Sequence, residues 1–184
     1  VKALSYWNSQ SYFNIWVVES IEHMSNIGGM TLGYAQFPGG SSTTDGVVID
    51  DNAFGTTGTV TSPFNKGRTA THEVGHWLNL RHIWGDGSCS VDDFVSDTPT
   101  SNSANYGCDV GSSACGSVDM VQNYMDYSDD ACMNLFTVGQ RNRMRALFES
   151  GGYRSSLLNS SACGEVVAPT CDDNIQNGDE EGVD

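Results

Sequence analysis

The chain has 184 residues, with 23 acidic against 8 basic side chains and a formal net charge of -15. Its 38% hydrophobic and 17% charged residues suit one globular domain with a real core. The acidic excess argues against nucleic acid and anionic membrane surfaces as partners. No apolar run is long enough to span a membrane, and the surplus carboxylates leave oxygen donors for a hard cation such as calcium.

In chain order, residues 1–11 read as the end of a helix. Tyr12 to Val18 is rich in aromatic and β-branched residues and predicts a strand. Ile21 to Met30 is irregular. Thr31 to Phe37 predicts a second strand, stopped by Pro38-Gly39-Gly40. Gly46 to Asp50 predicts a short apolar strand, and Asn52 to Lys66 shows no helical period. A helix is predicted from Gly67 to Leu78. From Gly85 to Val118 the chain is Gly-, Ser-, Asp- and Cys-rich, a length of irregular segment that a compact domain normally ties down. Thr137 with Gln140 three residues on fits a capping box. Met144, Leu147 and Phe148 then continue at helical spacing to Gly151-Gly152. Residues 161–184 form a strongly acidic tail, either solvated or a linker to further C-terminal domains.

The most informative stretch is His72-Glu73-Val74-Gly75-His76, followed by His82. On a helix, His72 and His76 lie one turn apart and project from one face. Two imidazoles so placed can hold zinc, with Glu73 as a general base. His82 reaches the same metal only if the chain turns back after Leu78. Asn79 is the expected turn residue, because Asn tolerates the left-handed conformation better than most. Three neutral imidazoles leave a tetrahedral zinc with one open position, which suits hydrolysis of a peptide bond. Hydrolysis of a non-peptide amide is a further possibility. His23 has no partner motif and reads as an ordinary surface residue.

Six cysteines, with no C-x-x-C pair, suggest disulfides and an oxidising compartment. The chain starts at Val1 without a signal peptide, so a secreted protein would be a processed form.

The motif H-E-x-x-H-x-x-(G/N)-x-x-H resembles the metzincin clan of zinc endopeptidases. Asn123-Tyr124-Met125-Asp126-Tyr127 resembles that clan's methionine turn. Together with Asp97-Thr98-Pro99, Cys132-Met133 and the stretch Phe136 to Met144, these residues are most similar to the pappalysin family. The likeness spans about residues 12–150. It implies an α+β zincin-like fold over residues 1–160: a small twisted mixed sheet and active-site helix above, loops and a C-terminal helix below. It further implies Met125 as a floor beneath the metal and Tyr127 as a residue that bonds the tetrahedral intermediate or the metal. Leu32, Gly33, Tyr34 and Ala35 would form the edge strand that binds an extended peptide. Asp129 and Asp130 would either select a basic residue after the scissile bond or be solvated. Asp93, Asp97 and Thr98 would hold calcium. The implied bridges are Cys89–Cys115 and Cys108–Cys132. Cys163 and Cys171 pair with each other, or Cys171 serves a partner further on. Two departures stand out. Asn79 replaces the usual glycine. The fold also normally begins with a strand and a long helix before Tyr12, where this chain has only a short piece; the first strand is either removed by processing or on a separate fragment. The alternative to a protease is a binding or adhesion module that keeps zinc for structure.

Overall fold

The computed structural model describes residues 1–22 and 30–162. Three strands, β1 (Ile15–Val18), β2 (Gly33–Ala35) and β3 (Val47–Asp50), form one sheet in the order β1-β3-β2. The central strand β3 is buried along its whole length, with Val47, Val48 and Ile49 at most 3% exposed. A strand covered on both faces has no use for polar alternation, and Val-Val-Ile is what remains. β1 pairs with it in parallel, Ile15 opposite Val47. β2 runs antiparallel on the other side, Tyr34 opposite Val48, so it forms an edge of the sheet. Both outer strands are shorter than their apolar runs predict. Ladder bonds nevertheless continue past β2, from Asp50 N to the Leu32 carbonyl (2.8 Å) and from Gln36 N to that of Gly46 (3.1 Å).

A four-residue helix, α1 (Lys2–Ser5), replaces the helix end expected over residues 1–11. The Asn14 side chain stops it: its oxygen accepts from Trp7 N and its amide donates to the Trp7 carbonyl. The long helix α2 (Arg68–Trp77) packs under β2 and β3. Its Trp77 joins Val47 and Ile49 in an upper core, flanked by Phe13, Ala35 and Leu157.

Below α2 the chain is loops, apart from the two-residue strands β4 (Ser113–Ala114) and β5 (Ser117–Val118) and the helix α3 (Val138–Arg145). Disulfides Cys89–Cys115 and Cys108–Cys132, with Cα separations of 5.4 and 5.5 Å, tie the irregular segment to itself and to the loop after the methionine turn. A lower core gathers Leu80, Ile83, Trp84 and Met125 against Met120, Phe136 and Met144. The capping box at α3 is present in full, Thr137 and Gln140 each bonding the other's backbone. The helix then tightens to a 3-10 turn at Ala146–Phe148, short of the glycine pair expected to end it. His23, Cys163, Cys171 and the acidic tail lie outside the described residues. Among the described residues no helix is long and apolar enough to cross a membrane.

Candidate metal centre and active site

α2 starts at Gly67, whose φ of +71° is left-handed and which offers no side-chain cap. The carboxylate of Asp130 stands in, accepting from Lys66 N (2.6 Å) and Arg68 N (3.3 Å). A negative charge at orphan N–H groups is favourable there. The helix ends in a Schellman turn. Asn79 has a φ of +73°, Asn79 N donates to the His76 carbonyl and Leu80 N to that of Gly75, both at 2.9 Å. Two distant arginines take the freed carbonyls, Arg154 Nε at Trp77 (3.0 Å) and Arg143 Nε at Asn79 (2.7 Å).

This turn brings His82 back over the helix. Nε2 of His76 lies 3.0 Å from Nε2 of His72 and 3.0 Å from Nε2 of His82. The opposite nitrogens explain the arrangement. Nδ1 of His72 meets the Tyr124 carbonyl at 2.6 Å and Nδ1 of His76 meets the Leu80 carbonyl at 2.8 Å. A carbonyl only accepts, so each Nδ1 carries the proton and each Nε2 keeps its lone pair. Asp86 does the same for His82. Three lone pairs facing one point cannot hydrogen-bond one another, and they suit a cation. Zinc bound by imidazoles at about 2.0–2.1 Å would hold tetrahedral nitrogens roughly 3.3 Å apart, close to the spacing seen. Burial, first, and the neighbouring imidazoles then lower His72 and bring His76 down to about 4. Burial lowers His82 as well, against the pull of Asp86. All three are therefore neutral at pH 7, as ligation requires.

Glu73 is buried beside them, and burial raises its pKa to about 8. Gly33 of β2 passes directly over it. A Cβ at Gly33 would come within 2.8 Å of Glu73 Cγ, so only glycine lets the strand lie this close. Met125 is fully buried under the helix, and a Cβ at Gly75 would meet its sulfur at 2.4 Å. The methionine turn is pinned by Asn123, which exchanges two hydrogen bonds with Gln140 of α3 (2.8 and 3.0 Å) and accepts from Met125 N. Tyr127 is two-fifths exposed, with its ring 4.9 Å from that of His82. Burial first, then the nearby Glu73 carboxylate, pushes its pKa up to about 12, so it stays a phenol and a donor.

A cleft beside Glu73 is lined by Leu32, Gly33, Tyr127, Ser128 and Asp130 among others. Asp129 does not line it. Its backbone turns away to bond the Gly107 carbonyl. Asp130 is not solvated either, being 2% exposed and engaged at the start of α2. Asp93 is likewise buried, and burial raises it to about 6. Its oxygens accept from the Thr98 hydroxyl and Val95 N. Asp97 faces elsewhere, accepting from Thr137 Oγ1 (2.7 Å) and Gly139 N (2.8 Å) at the start of α3.

Local patterns do not point to Asp45, Asp86, Asn123, Gln140 and Arg154 as site supports. The contacts that matter most join residues far apart in the chain: Asp45 with Trp77 and Arg154, and Asn123 with Gln140. Asp126 is another such support. It is fully buried, and it fastens Asn105 and Tyr127 N to the methionine turn.

Such a centre on such a sheet places the chain among the metzincin-type metalloproteases. It belongs to the Peptidase_M43 family, described as pregnancy-associated plasma protein-A, whose profile matches residues 2–149. It is similar to extracellular metalloprotease 1 of Coccidioides posadasii, at 44% identity over 138 residues, 70% of this chain and 49% of that protein. An extracellular metalloprotease of Pyricularia oryzae is 45% identical over 132 residues, 68% of this chain and 46% of its own. In three dimensions the chain is similar to mature mirolysin of Tannerella forsythia in complex with a cleaved peptide. The TM-score is 0.73 at 50% identity, covering 83% of this chain and 58% of that one. The chain spans about half the length of the curated relatives it matches.

Proposed function

We propose that the chain carries the catalytic centre of an extracellular zinc endopeptidase. The observation that carries this reading is a buried carboxylate, Glu73, on the helix turn between two of three imidazoles whose lone pairs converge. His72, His76 and His82 would hold the metal, leaving a position open, whereas a structural zinc site is normally closed by a fourth protein ligand. Zinc there supplies acidification of water and polarisation of a carbonyl. Glu73 takes the proton of the attacking water and returns it to the leaving amine. Its raised pKa makes it the stronger base, and a neighbouring dication pulls in the opposite sense. Tyr127 donates its hydroxyl to the oxyanion of the tetrahedral intermediate. Substrate lies extended along the outer side of β2, which is an edge of the sheet among the described residues, and adds a strand to it.

Asp130 is the candidate for selecting a basic side chain in the cleft, since it is the buried carboxylate there that faces neither the histidines nor the Asn105 loop. Asp93 and Thr98 are the pair left to hold calcium, since Asp97 is taken up at the start of α3, and bound calcium would raise the thermal midpoint on addition. The catalytic domain covers residues 1–160, and residues 161–184 are a solvated acidic tail or a linker module.

Casein digestion with and without a zinc chelator tests the activity. Glu73→Gln should lower kcat by about 10²–10⁴-fold while leaving zinc binding in place. Digestion undiminished in that variant would remove the general-base role. Peptides released from a protein digest report the cleft's preference directly.

A further inference from the structure

His72 and His76 sit on a rigid helix and give their Nδ1 protons to main-chain carbonyls, which no substitution deletes. His82 sits on a loop and gives its Nδ1 proton to a side chain, Asp86. The turn from His82 to Gly87 is tightly built around this contact. Gly85 N bonds the His82 carbonyl (2.8 Å) and Gly87 N that of Trp84 (3.2 Å), so two tight turns follow one another. Gly85 and Asp86 are both left-handed, with φ of +62° and +61°. For Gly85 that conformation is free. For Asp86 it is strained, and strain of this kind persists where something else fixes it. The same turn lays the Trp84 ring flat on His82, with centroids 4.3 Å apart and planes 3° from parallel. The other carboxylates of the loop are engaged locally: Asp92 accepts from Phe94 N, and Asp93 from Thr98 and Val95 N.

We propose that Asp86 is the positioning residue for the third metal ligand. It holds His82 in the tautomer and orientation that aim Nε2 at the metal, while Trp84 blocks the ring from swinging away. Outer partners of this kind typically set metal affinity by 10–100-fold. Because its side chain is 60% exposed, Asp86 can be exchanged without disturbing a core. The inference rests on the zinc reading above.

The test uses zinc affinity, measured by competition with a chromophoric chelator at fixed pH. Two variants accommodate the left-handed backbone. Asp86→Gly removes the acceptor, and Asp86→Asn keeps an acceptor oxygen. Asp86→Gly should bind zinc 10–100-fold more weakly, and Asp86→Asn should recover most of that loss. In a His82→Ala background, Asp86→Gly should cost nothing further, because it acts only through that ring. Zinc affinity of Asp86→Gly within twofold of the parent would overturn the inference, and so would Asn binding no tighter than Gly. A parent protein that binds no zinc would overturn the zinc reading itself.

Discussion

Above the histidines the chain is packed, and below them it is tied. The upper half consists of a strand buried on both sides, a helix across it, and an arginine closing the far end. Arg154 is 4% exposed, lies 3.5 Å over the Trp77 ring and forms a bidentate pair with Asp45, which also accepts from Trp77 Nε1. The lower half has a small core, and its loops are fastened by two disulfides, by the Asn123–Gln140 pair and by Asp126. The difference follows from what each half must do. Two ligands and the base need a rigid helix, which burial provides. The cleft wall needs irregular backbone, which buries little and is restrained instead by covalent and polar links.

Each half can be broken separately. Arg154→Ala leaves Asp45 buried with its charge unpaired and takes the donor from the Trp77 carbonyl. It should cost about 3–5 kcal/mol, read as a lower urea midpoint for the whole domain. An unchanged midpoint would mean that the upper half does not depend on this clasp. Linkage at Glu73 is expected to be of similar size, at most about 5 kcal/mol. Its folded pKa of about 8 lies above the ordinary 4.5. The folded chain therefore binds the proton first. The contribution is complete below pH 4.5 and is lost as pH rises through 8. Melting of the metal-free parent against metal-free Glu73→Gln should diverge in that window, with the parent gaining as pH falls.

Replacing Cys89 and Cys115 by serine opens a loop with a sequence separation of 26. The expected cost is roughly 3.5 kcal/mol. Faster proteolytic nicking between Gly85 and Val118 should accompany it, with the zinc affinity retained. Loss of zinc in step with the bridge would show that the two halves are not separable. Gly75→Ala, where the halves meet at Met125, should cost about 1–3 kcal/mol by overpacking. Gly75→Ala with Met125→Leu should recover part of it if the sulfur is the obstacle.

Local rules determined a good deal here. Helical spacing placed His72 and His76 on one face. Asn79 marked the turn, and Thr137 with Gln140 marked the second helix start. These are contacts within one or two turns of chain, where backbone geometry and residue chemistry are enough. The pappalysin resemblance led to Met125, Tyr127 and the two bridges that periodicity alone leaves unassigned. Asp97 went to the start of α3 and Asp130 to the start of α2, because unpaired helix N–H groups draw a carboxylate whatever its sequence distance. Asp86 is not legible in the sequence although it stands four residues from His82, since nothing there announces two consecutive left-handed residues when only the first is glycine.

The sequence by itself determined the ligand set, the base and the turn between them, because those depend on spacing along a helix of fixed pitch. Only the tertiary structure decided how that set is held. The Tyr124 carbonyl at His72, the clasp from Arg154 to Asp45 and the passage of Gly33 over Glu73 all arise when the chain packs on itself. Burial and mutual approach are properties of the fold, and no local pattern encodes them.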